Sequence, residues 1–201
     1  LTQANDGQYF EYFFHGTKSK DYTFTVKLPK AVFQKNVIEL DRKSFSVTFS
    51  TYDKTTGYIL FAALSEQLKK RFPLSNDNSY NITGIRLLKE QEVNGNQVLF
   101  KMCAPLVIRK HNRENNKDYY YVFHDEEFVQ ESLIVIKNQL LNAGYQEEQI
   151  TNLKITPINM KKVIVKHYGC SIPCSLGYVM MEGNKSVLNY LYKSGIGSRR
   201  S

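Results

Sequence analysis

Glu126-Glu127-Phe128-Val129-Gln130-Glu131-Ser132-Leu133-Ile134-Val135-Ile136-Lys137-Asn138-Gln139-Leu140-Leu141-Asn142-Ala143-Gly144 organises the chain. Val129, Leu133, Ile136 and Leu140 recur at helical spacing, acidic residues open the run, and Gly144 supplies a stop. Strands flank this helix. Residues 98–102 and 106–109 precede it, with 119–123 as a hairpin partner. Residues 153–155, 163–165 and 178–181 follow, and a short helix over 185–193 comes last. Strand, helix, strands, helix is the β-α-β-β-α-β order of a ferredoxin-like unit without its closing strand.

The first half repeats the order with a different gap. Residues 7–14 are aromatic and read as helical. Thr23-Phe24-Thr25-Val26-Lys27-Leu28 alternates and ends at Pro29, as a strand does. Residues 37–40 and 45–50 are further strands. Leu60, Leu64 and Leu68 place a helix over 57–72, before Pro73, and 82–88 returns as a strand. This is the same unit without its opening strand. The expected fold is therefore α+β, with two ferredoxin-like, RRM-like units in tandem, 1–92 and 93–201, trimmed at both termini. The polar stretch 89–96 separates them.

At 201 residues the chain is long enough to bury a real core, and its formal net charge is +8. The excess of positive charge favours a polyanionic partner, of which RNA and DNA are the usual ones. No apolar run is long enough to span a bilayer and no signal peptide opens the sequence, so a cytoplasmic protein is expected. The three cysteines, Cys103, Cys170 and Cys174, fit a reducing compartment. His167, Cys170 and Cys174 do not match the usual zinc spacing, so no metal and no cofactor is expected, and the thiols read as buried. Neither G-x-G-x-x-G nor a Walker loop follows a strand, which disfavours a nucleotide-binding enzyme.

The sequence ends on Gly195-Ile196-Gly197-Ser198-Arg199-Arg200-Ser201, straight after the last helix. Glycines without Cβ allow close backbone approach, and guanidinium and hydroxyl groups suit phosphate oxygens. The loop reads either as a phosphate-backbone binder or as a helix C-cap followed by a basic tail. Lys161, Lys162 and Arg109 are further candidates for an RNA groove. Arg109 starts the basic run through His111, which reads as a backbone contact or as a solvated loop. Tyr119, Tyr120 and Tyr121 offer stacking faces, although strand alternation buries at least one ring.

Three segments, in this order, resemble the CRISPR-associated endoribonucleases that process repeat RNA, members of the RAMP superfamily. His15, Lys18 and Lys20 before the strand Thr23–Val26 look like the family's histidine, basic residues and first strand. Cys103-Ala104-Pro105-Leu106-Val107-Ile108-Arg109 looks like its S-P-hydrophobic-hydrophobic-R strand, and the 191–201 tail like the first half of its glycine loop. The second half of that loop and the opening strand are missing here.

The resemblance implies a tandem ferredoxin-like fold and metal-free cleavage of CRISPR repeat RNA. The adjacent 2′-OH attacks, leaving a 2′,3′-cyclic phosphate and a 5′-OH. It makes His15 the general acid or base, because an imidazole titrates near working pH. Lys18 or Lys20 then stabilises the phosphorane, and Tyr9 or Tyr12 orients the ribose or the scissile phosphate. Gly195, Gly197, Ser198, Arg199 and Arg200 would hold the RNA backbone. The implied partners are the repeat RNA and other effector subunits, with the protein a monomer or homodimer and no membrane involved. The competing expectation is a non-catalytic RAMP protein that binds guide RNA within an effector complex. A generic RNA-recognition module ranks last, because its aromatic and basic strand signature is missing.

Overall fold

The computed structural model describes residues 4–14, 22–35, 37–167 and 169–198. The elements in chain order are α1 (Phe10–Phe14), β1 (Tyr22–Lys27), β2 (Val32–Phe33), β3 (Ile38–Glu39), β4 (Ser46–Thr51) and α2 (Lys54–Ser65). Then come β5 (Arg71–Pro73), β6 (Ser79–Asn81), β7 (Gln97–Lys101), β8 (Ile108–Asn112) and β9 (Lys117–Tyr121). The last are α3 (Phe128–Asn142), α4 (Glu147–Ile150), β10 (Lys154–His167), β11 (Cys170–Glu182) and α5 (Lys185–Ser194). The fold is α+β.

β7, α3, β10, β11 and α5 follow the β-α-β-β-α order, and their antiparallel sheet runs β10-β11-β7, with the third strand central. That order is the ferredoxin-like arrangement. Leu140, Ile155, Val179, Met181, Val187, Leu188 and Leu191 lie between this sheet and the helices, all at most 5% exposed. Removing such apolar surface from water drives this half to fold. The buried residues of α3 are Phe128, Glu131, Ser132, Ile136, Gln139 and Leu140, so Ile136 and Leu140 face the core as expected, while Val129 is exposed and Leu133 half-buried.

In the first half, α1, the antiparallel pair β1–β4 and α2 enclose a smaller cluster of Phe13, Ile59 and Leu60, flanked by Tyr9 and Tyr22. Phe24 faces Phe49 and Val26 faces Val47 across the pair. Thr23 and Thr25 take the other face, by the alternation of a strand, and this polar face meets the second half. Thr25 Oγ1 donates to the Cys103 carbonyl at 2.7 Å, and Ser50 Oγ donates to that of Lys193 at 2.6 Å. Tyr52 and Tyr145 both pack on Tyr190 nearby, and burial first, with Tyr52 next, pushes the Tyr145 hydroxyl up to about 12.

Several expectations are corrected. The helix expected over 57–72 starts at Lys54, because the Asp53 carboxylate accepts from the backbone N–H groups of Thr55 and Thr56. It stops at Ser65, and Leu68 instead forms an isolated parallel bridge with Ile82. The strand expected over 82–88 is Ser79–Asn81, and residues 83–94 carry no regular structure. Strands 153–155 and 163–165 are one continuous β10, and 178–181 belongs to its equally long partner. Cys174 is buried, but Cys103 and Cys170 are exposed, against the expectation of three buried thiols.

Candidate functional site

The loop after α5 is fixed from three sides. Gly195 caps the helix at φ 72°, and its N–H donates to the Leu191 carbonyl at 2.9 Å. Its own carbonyl accepts from Gln139 Nε2 of α3 at 2.8 Å. A Cβ at Gly195 would stand 3.2 Å from Thr23 Cγ2 of β1. Ile196 packs between the clusters around Leu140 and Ile108. Gly197 has φ 119°, and a Cβ there would lie 2.9 Å from Leu106 Cδ1 and 3.2 Å from the Val107 carbonyl oxygen. Both glycines thus answer the close approach of this chain to itself, with conformations that L side chains rarely adopt.

Ser198 closes the clamp. Its N–H donates to the Val107 carbonyl at 2.8 Å, and its Oγ accepts from the Arg109 N–H at the same distance. The loop is therefore tied to the segment that enters β8. Arg199 and Arg200 lie outside the described residues, as do His15, Lys18 and Lys20.

Of the tyrosines expected before His15, Tyr9 packs against the Phe13 cluster. The Tyr12 hydroxyl donates to Asp53 Oδ2 at 3.1 Å and lies 3.0 Å from Thr56 Oγ1, at the start of α2. The Thr56 hydrogen bonds, then that of Tyr12, hold the Asp53 carboxyl below its usual range despite some desolvation. The chain leaves the described residues after Phe14 and rejoins them at Tyr22, one residue before the threonine that lies on Gly195.

Lys161 and Lys162 are exposed on β10, just past an irregularity between Ile158 and Lys161 where the register shifts. Gly177 opposite makes that bend fit, since a Cβ there would come within 2.7 Å of Asn159 O. Arg109 is partly exposed on β8, with its Nη1 3.4 Å from Asp118 Oδ2. Lys110, on the opposite face, pairs with the buried Glu131 of α3, whose hydrogen bond and charge raise the lysine's pKa.

A family model for the CRISPR associated protein Cas6, C-terminal, matches residues 88–201, more than half the sequence. The chain belongs to this family. Known structures agree in fold. The product of a Cas6-related gene from Pyrococcus furiosus superposes with a TM-score of 0.75 at 20% identity, over 90% of this chain and 74% of that one. A RAMP protein described as binding different RNA substrates gives 0.74 at 19%, over 90% and 75%. A Cas6 product complex gives 0.66 at 12%, over 100% and 85%. No curated protein matches the sequence significantly.

Among the described residues no helix is long and apolar enough to cross a membrane. Three contributors to the loop were not legible in the sequence. Gln139 sits in a run whose signal is its apolar spacing, Thr23 in a strand marked by its alternation, and Ser198 clamps β8 from within the loop expected to hold phosphate.

Proposed function

We propose that this protein binds CRISPR repeat RNA and cleaves it without a metal ion, by attack of a 2′-OH on the adjacent phosphate. The products are a 2′,3′-cyclic phosphate and a 5′-OH. The carrying observation is the joint between Thr23 and Gly195, where the strand that follows the His15 segment meets the glycine loop. Lys20 is three residues from Thr23, within about 11 Å of chain at full extension. Lys20 is thus tethered within reach of the loop expected to hold phosphates, with His15 and Lys18 earlier in the same stretch of sequence.

In this reading His15 moves the proton of the 2′-OH or of the leaving 5′-oxygen, and Lys18 or Lys20 offsets charge on the phosphorane. Tyr12 stands on α1, and Tyr9 in the turn that leads into it. Arg199, Arg200, Lys161, Lys162 and Arg109 bind backbone, adding affinity rather than sequence choice. The division into units 1–92 and 93–201 and a cytoplasmic location belong to the same proposal.

The test is cleavage of a labelled repeat RNA in EDTA, beside an RNA with a 2′-deoxy at the cut position. One cut in the first and none in the second supports the reading. Tight binding with no cut in either leaves the non-catalytic guide-RNA binder instead.

A further inference from the structure

The hairpin β8–β9 carries a polar cluster on one face. Across the pair Arg109 stands opposite Tyr120, and His111 opposite Asp118. Directly opposite residues share a face, so the four side chains stand together. His111 Nδ1 lies 2.9 Å from Asp118 Oδ1, and Arg109 Nη1 and the Tyr120 hydroxyl lie 3.4 Å and 3.5 Å from Oδ2. The His111 hydrogen bond first, and the Arg109 charge, hold the Asp118 carboxyl below its usual range. An ionised carboxylate only accepts, so His111 donates to it from Nδ1 and its ring is fixed; as the imidazolium it also presents an Nε2–H to an outside acceptor.

The other face of the hairpin is its anchor. Ile108 is fully buried, Tyr121 is half-buried against the same cluster, and Lys110 holds Glu131. The side chains of Arg109 and His111 stay 34% and 41% exposed. The cluster is also continuous with the glycine loop, because Ser198 is bonded to Val107 and to the backbone of Arg109. His111 follows about 7 Å further along the strand.

We propose that this face is a second RNA contact, at which Arg109 and His111 bind phosphates of the strand leaving the glycine loop and Tyr120 offers its ring to a base. The inference rests on the RNA-binding part of the function proposed above. Asp118 keeps both donors aimed, and Arg113 and Lys117 extend the positive charge toward the hairpin's end.

The experiment titrates wild type and the double variant Arg109→Ala/His111→Ala with labelled repeat RNA over a range of salt. Each lost phosphate contact on a single strand removes about 0.7 from the salt slope, so the double variant is expected to be shallower by about 1.4. Its affinity at low salt should fall roughly ten-fold, or one decade in Kd. In parallel, wild type is photo-crosslinked to repeat RNA carrying 5-iodouridine, and a crosslinked peptide from 108–121 is expected. That arm decides the matter if the variant does not fold. An unchanged slope, or crosslinks only outside 108–121 while wild type binds tightly, overturns this contact alone. No binding by wild type overturns the RNA reading and this contact with it.

Discussion

Gln139 Nε2 donates to the carbonyl of Gly195 at 2.8 Å, joining the buried face of α3 to the glycine loop across 56 residues of sequence. The other end of that amide, Oε1, is buried with no partner among the described residues. Gln139→Leu therefore removes one satisfied donor and one unsatisfied acceptor. The net cost to stability is expected to be small, about 1 kcal/mol, because an orphaned carbonyl and a relieved acceptor offset each other. The loop loses its tie to α3, so affinity for repeat RNA should fall by more than the shift in melting temperature suggests. Calorimetry beside a binding titration checks this. A large loss of stability with normal binding would make Gln139 a core residue only.

Gly197→Ala should be the most damaging single change in the loop. Its φ of 119° is strained for alanine, and the added Cβ would meet Leu106 Cδ1 at 2.9 Å and a backbone carbonyl at 3.2 Å. The expected cost is about 1–3 kcal/mol, with loss of the Ser198 clamp on β8. Gly84→Ala is the control, because nothing lies within 4 Å of its Cβ. It should stay within about 0.5 kcal/mol of wild type by thermal unfolding.

How much was legible follows from which forces were local. The helix over 126–143 and the strand over 98–102 depend on local pattern alone, and both stand within two residues of expectation. β10 was not legible as one strand because Pro157 and the register shift after Ile158 interrupt its pattern. A proline is tolerated there because β10 is the edge of its sheet. The α2 boundary was missed for the opposite reason. Leu68 continues the helical spacing, but its tertiary bridge to Ile82 wins over the periodicity. At the site, the two glycines were legible as necessary, whereas the reason was not. They fit against Thr23 and Leu106, contacts that only the folded chain brings together.

Asp53 links acid stability to the start of α2. Its carboxyl titrates below the ordinary 3.8, through the hydrogen bonds with Thr56 and Tyr12. A depressed folded pKa adds stability above the unfolded value, and that stability is lost as pH falls through the folded one. Asp53→Asn still offers a capping oxygen but has no charge to titrate. Its deficit against wild type, about 1 kcal/mol or less at neutral pH, should therefore shrink below pH 3.8 and close once wild type is protonated. Urea unfolding at a series of acid pH values measures this. A deficit that does not change with pH would mean that the charge of Asp53 is not what caps the helix.

His15 and Tyr12 separate chemistry from scaffolding. His15→Ala is expected to abolish cleavage of repeat RNA in EDTA and to leave its affinity close to wild type, because a proton-transfer group acts in the transition state more than in binding. Tyr12 is held differently, its hydroxyl bonded to Asp53 and close to Thr56. Tyr12→Phe should cost about 1 kcal/mol of stability through those bonds. If the hydroxyl also orients the scissile phosphate, single-turnover cleavage falls with binding unchanged, and Asp53→Asn does not reproduce the fall. If it only braces α1 against α2, the two variants share the stability loss and both cut at the wild-type rate. Cleavage retained by His15→Ala would remove that histidine from the mechanism and turn attention to His111, the imidazole already oriented by a carboxylate beside the loop.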